Sequence, residues 1–105
     1  MNILNTIPSD LDALFEEKGS EFFDEYDNEE AVAQATTLGW TTTQEEQVGG
    51  EGMGDEFYIV YSFTKDGNVV YVKFDGWYDS NNGSEYNECF AVQPQQKTIT
   101  VFEKV

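Results

Sequence analysis

No arginine and no histidine occur among the 105 residues, and five lysines make up the whole basic complement. Without imidazole there is no side-chain base that titrates near neutrality, no Ser-His-Asp triad and no ordinary zinc or iron site. Without guanidinium there is no bidentate grip on phosphate or carboxylate. Cys89 is the only cysteine. It excludes an internal disulfide, suits a reducing cytoplasm, and has no histidine to activate it as a nucleophile. No apolar run is long enough to cross a bilayer, and the opening Met1-Asn2-Ile3-Leu4 lacks the basic region of a secretory signal. The expected location is the cytoplasm.

What the chain has in excess is negative charge: 21 carboxylates and a formal net charge of −16. Fifteen of those acids lie in the first 56 positions, where Lys18 is the only base. Such a surface is repelled by anionic lipid and by nucleic acid alike, so neither a membrane nor DNA is expected as a direct partner. An aromatic content of 15% excludes a disordered acidic tail. One domain over 1–105 is expected, mainly helical over 1–39 and mainly β over 40–105.

Ser9-Asp10-Leu11-Asp12 reads as a helix start, with Ser9 as N-cap and acids in the first turn. Leu11, Leu14 and Phe15 follow at i, i+3 and i+4, and Gly19 supplies a stop. Ser20 is then placed to cap a second segment carrying Phe22, Phe23 and Tyr26. A third run over 29–38 turns Ala31, Val32 and Ala35 inward and ends at Gly39. Asp27-Asn28 either separates the last two runs or kinks one helix.

From Trp40 the texture changes to strand. A Thr-rich extended run over 40–48 precedes the glycine-rich loop 49–54. Two β-rich runs, 57–64 and 69–75, flank Lys65-Asp66-Gly67-Asn68, and Asp-Gly signals a two-residue hairpin. Setting Lys65 against Asn68 pairs Phe63 with Val70, Tyr61 with Val72 and Ile59 with Phe74 on one face. The other face then pairs Val60 with Lys73 and Tyr58 with Asp75, and a slip by one residue destroys the match. A turn-rich loop over 76–85, a strand over 89–93 and a last strand over 97–103 complete the chain. The expected fold is α+β, with N-terminal acidic helices packed on an antiparallel meander of four or five strands.

No catalytic or metal motif stands out. Gly50-Glu51-Gly52-Met53-Gly54 lacks the Lys-Ser/Thr ending of a phosphate loop and carries repelling acids, so a flexible connection is expected. Asp79-Ser80-Asn81-Asn82-Gly83-Ser84-Glu85 alternates oxygen ligands. Relative to a calcium loop its glycine is one residue early, and Phe90 stands where the bidentate Glu belongs. Ordinary turn chemistry explains it. Glu85 and Glu88 near Trp77, Tyr78 and Tyr86 suggest a sugar cleft with paired acids, but a small domain has little room for such a groove. No enzyme activity, cofactor or metal is expected.

The informative constellation is the acid series Asp10, Asp12, Glu16, Glu17, Glu21, Asp24, Glu25, Asp27, Glu29 and Glu30. Glu21 with Glu25 and Glu25 with Glu29 repel by about 0.2–0.5 kcal/mol per pair if helical. A solvated face kept acidic for solubility is the ordinary explanation of a charge run. Uncompensated charge along the whole chain favours a surface that meets a cationic groove. Sixteen charges correspond to about 27 Å of duplex DNA, comparable with the span of a domain this size. The expected partner-binding residues are Glu16, Glu17, Glu21, Asp24, Glu25, Tyr26, Glu29 and Glu30.

Gly49-Gly50-Glu51-Gly52, Phe57-Tyr58-Ile59-Val60, Lys73-Phe74-Asp75-Gly76-Trp77-Tyr78, Asn82-Gly83-Ser84-Glu85 and the run from Gln93 to Val101 together resemble a group of small uncharacterised phage-encoded proteins. The resemblance covers about half the chain and implies a phage origin and a shared β-fold. In charge and size the whole chain is also similar to phage counter-defence proteins that imitate DNA, among them anti-restriction and anti-CRISPR inhibitors. The expected function is inhibition of a basic host nucleic-acid-binding protein, such as a restriction enzyme, CRISPR effector, nuclease or nucleoid protein. The alternative is an interaction module, or a modulator of host RNA polymerase, that binds through its β-sheet or the 77–85 loop, with acidity serving solubility.

Overall fold

The computed structural model describes residues 2–24, 28–48, 55–79, 83–94 and 102–105. The elements run β1 (Asn2–Ile3), α1 (Ser9–Phe23), α2 (Glu29–Thr37), β2 (Thr41–Val48), β3 (Asp55–Lys65), β4 (Asn68–Asp79) and β5 (Gly83–Val92). Both helices pack on one face of a five-stranded sheet, an α+β arrangement.

The central hairpin has the register read from the sequence. Lys65 faces Asn68, Phe63 faces Val70, Tyr61 faces Val72 and Ile59 faces Phe74. Asp66 and Gly67 take positive φ values of 51° and 79°, which gives the Asp-Gly turn the twist that antiparallel strands need. The apolar set of this hairpin is buried, and Phe15 and Phe22 of α1 lie against Phe63 and Phe74 with ring centroids 5.2–5.6 Å apart.

The sheet is mixed and not purely antiparallel. β1 runs parallel to β4, pairing Asn2 with Asn68 and Ile3 with Val69. β5 covers the same edge of β4 only from Tyr71 onward, leaving the first residues of β4 open to β1. Asn2 N–H donates to Gly67 O and Leu4 N–H to Val69 O. A two-residue strand has no periodicity to announce it.

Three further expectations are corrected. The 76–85 segment is not a loop throughout: β4 continues to Asp79 between β3 and β5, because both neighbours offer ladder partners as far as Tyr78. Gly19 does not end a helix and Ser20 does not cap another. Both lie inside α1, where Gly19 is buried because Tyr86 of β5 closes over it. A Cβ there would meet the Tyr86 hydroxyl at 2.8 Å. Pro8, not Ser9, holds the N-cap position of α1. The end of α2 is as expected: Gly39 follows with φ +93°. Of the last expected strand, 97–101 lie outside the described residues and Phe102–Glu103 carry no strand. The 49–54 loop also lies outside them.

Candidate acidic surface

Position on α1 follows from which side chains turn inward. Leu11, Leu14, Phe15, Phe22 and Phe23 are buried. At 100° per residue, Asp10, Glu17, Glu21 and Asp24 then fall toward the α2 side or the outer surface, and Asp12 and Glu16 on the opposite flank. Asp10 and Glu17 line a shallow groove between the helices with Gln34 and Leu38. On α2, burial of Ala31 and Ala35 leaves Glu29 and Glu30 exposed in the first turn, where the helix dipole favours carboxylates.

Four of the expected partner-binding residues, Glu16, Glu17, Glu29 and Glu30, are exposed; Glu21 and Asp24 are half-buried. Glu25 and Tyr26 lie outside the described residues. Lys18 is the only base on either helix and is already engaged, with Nζ 3.1 Å from Glu21 and 3.5 Å from Glu30. Those carboxylates raise its pKa, with the Glu21 hydrogen bond contributing most.

Tyr61 fixes how the acids are presented. Its hydroxyl donates to the Phe22 carbonyl at 2.8 Å, in the last turn of α1 where helix carbonyls lack partners. It accepts from Asn28 Nδ2 at 3.0 Å, at the start of α2. One buried phenol therefore holds both ends of the inter-helix connection. At the other end of α2, Lys65 Nζ donates to Leu38 O at 3.0 Å and lies 3.9 Å from Asp10, while Trp40 Nε1 donates to Asp10 Oδ2 at 3.0 Å.

The helices present eight described carboxylates (Asp10, Asp12, Glu16, Glu17, Glu21, Asp24, Glu29, Glu30) against Lys18, a net of −7. The fifteen residues of α1 extend about 22 Å, a length along which one DNA strand carries about six or seven phosphates and a duplex about thirteen. The layer thus approaches the charge of a single strand, about half that of a duplex. Further acids lie elsewhere: Glu45 and Glu46 on β2, Asp66 in the hairpin turn, and Asp75, Glu85 and Glu88 on β4 and β5.

Among the described residues no helix lies over the opposite face of the sheet. Tyr58, Val60, Tyr71, Lys73, Trp77 and Phe90 share it, with Trp77 51% exposed and Phe90 38%. Lys73 Nζ stands 4.0 Å from the Tyr58 ring centroid and 6.0 Å from that of Phe90. Reading 76–85 as a loop hid the place of Trp77 in this surface; the alternation Lys73-Asp75-Trp77 was the available signal. Cys89 is half-buried on the helix-facing side, and burial raises its thiol pKa. Among the described residues no group of three or more potential metal ligands gathers, and no helix is long and apolar enough to cross a membrane. Comparison with protein-family models, curated proteins and solved structures returned no match.

Proposed function

We propose that this protein is a non-enzymatic, phage-encoded inhibitor that acts in the host cytoplasm by presenting its helical carboxylates to the DNA-binding groove of a basic host protein. The supporting observation is the juxtaposition of α1 and α2: Lys18 is held by Glu21 and Glu30 and Lys65 lies by Asp10, which leaves Asp12, Glu16, Glu17 and Glu29 exposed with no ion pair among the described residues. A cationic groove would release its counterions to this surface as it does to DNA, so affinity should fall steeply with salt and association should be fast when salt is low. Restriction, CRISPR, nuclease and nucleoid proteins share that chemistry.

The test is retention of host proteins on immobilised protein at low salt, followed by elution with salt or with duplex DNA. Basic nucleic-acid-binding proteins should be released by the DNA. The variant E16K/E17K/E29K/E30K, with an unchanged circular dichroism spectrum, should retain none of them. Equal retention by that variant would end the mimicry reading. A second reading is favoured by the uncovered sheet face with its exposed Trp77 and Phe90. On it the chain is an interaction module or polymerase modulator, and W77A/F90A would abolish retention while the helical reversals would not.

A further inference from the structure

At the outer edge of the uncovered face, the β4–β5 ladder is interrupted. Asp75 faces Glu88 and Gly76 faces Tyr86, so Asn87 is an extra residue on β5. Around this bulge lies a concavity of about 440 Å³ lined by Asp75, Gly76, Trp77, Glu85, Tyr86 and Asn87. Asp75 and Trp77 are two apart on β4, and Glu85 is the cross-strand partner of Trp77. Two carboxylates and a half-exposed indole therefore converge on one hollow.

Asp75 carries the second clue. Its Oδ1 is shielded from solvent yet has no hydrogen-bond partner among the described residues. Shielding one oxygen unmatched leaves the carboxylate's charge poorly compensated, so a cation meeting its other oxygen, Oδ2, from the hollow would offset that cost. The nearby cation does not meet it, because Lys73 is turned over the Tyr58 ring. Among the described residues no ion pair reaches Asp75 or Glu85.

We propose that this hollow binds a guanidinium group, stacked on Trp77 and hydrogen-bonded to Asp75 and Glu85. A planar, weakly hydrated cation with five donors suits an indole face beside two acceptors better than a compact ammonium does. None of these groups lies on α1 or α2, so the assignment is independent of the helical surface.

Trp77 supplies the readout, since the other tryptophan, Trp40, is only 5% exposed. Indole fluorescence is titrated at 0.15 M salt with N-acetylarginine amide and with its neutral isostere N-acetylcitrulline amide. A saturable response to the arginine derivative and none to citrulline is expected. D75N and E85Q should each weaken it at least about tenfold, the loss expected for one charge-assisted hydrogen bond. D66N, which removes the same charge from the hairpin turn, should leave it unchanged. Equal responses to both ligands, or arginine binding that survives D75N and E85Q, would overturn the assignment. So would a loss in D66N as large as in D75N, which would mean diffuse attraction to an anion. Repeating the titration with an extended arginine-containing peptide identifies the source: tighter binding than the blocked amino acid assigns the site to a polypeptide partner, equal binding to a free guanidinium compound.

Discussion

Gly76→Ala puts the packing of the helices on the sheet to its hardest test. A Cβ at Gly76 would lie 2.3 Å from the Glu85 carbonyl oxygen and 2.5 Å from Phe23 Cζ, against about 3.5–4.0 Å for a comfortable carbon contact. Phe23 can turn only against Phe57, 4.9 Å away between ring centroids, and Tyr86, at 5.7 Å. The Glu85 carbonyl belongs to the β4–β5 ladder and moves only if the strands part. Overpacking by one methyl costs about 1–3 kcal/mol, and a backbone obstruction puts this site at the upper end. A loss of about 3 kcal/mol lowers the melting temperature of a domain this size by roughly 12–24 °C. Thermal and urea unfolding followed by circular dichroism measure it. F23L/G76A should recover part of the loss, since it removes the ring obstruction but not the carbonyl. A G76A variant within about 0.5 kcal/mol of wild type would refute the close approach of β4, β5 and α1 described here.

Gly67→Ala tests a different physics: nothing lies within 4 Å of its added Cβ, yet φ is +79°, so a cost of about 1–2 kcal/mol by denaturant unfolding should come from backbone conformation alone. Tyr61→Phe removes the donor to Phe22 O and the acceptor for Asn28, and should cost about 1–3 kcal/mol in the same assay. Burial raises the Tyr86 phenol and the Cys89 thiol above their ordinary values of 10.0 and 9.0, and hydrogen bonding with Cys89 adds to the Tyr86 shift. Both therefore ionise more readily in the unfolded chain, so their contribution is whole below about pH 9 and declines as pH rises through 9 and 10. Melting temperatures measured from pH 7 to 11 should show that decline, flattened in Y86F/C89S. Self-repulsion at a net charge of −16 should make the fold more stable in 0.3 M sodium chloride than in 0.01 M, as a melting-temperature series would show.

The hairpin was legible because three local signals agree on it: an Asp-Gly turn, alternation on both sides, and one register that matches every apolar residue. The helices were legible as apolar faces, but their boundaries were not. Gly19 has the look of a helix stop when only its own neighbours are read. It is instead the gap that admits Tyr86, a residue sixty-seven positions later. β1 was invisible for a similar reason, since its pairing depends on where β5 stops covering β4. The helical acids could be named in advance because helical phase turns them outward. Of the hollow, Trp77, Glu85 and Tyr86 were grouped from their closeness in sequence and set aside as too small a cleft, whereas Asp75 joins them only across two strands at a bulge.

Composition and local pattern alone determined the excess of anions, the absence of imidazole and guanidinium chemistry, the helix-then-strand order and the hairpin register. Each depends only on residue type and on periods of 3.6 or two. Tertiary structure alone decided which edge β1 joins, which glycines are spaces for distant rings, and which carboxylate oxygen is shielded without a hydrogen-bond partner among the described residues. Those depend on backbone approach between segments far apart in the chain, which no local period encodes.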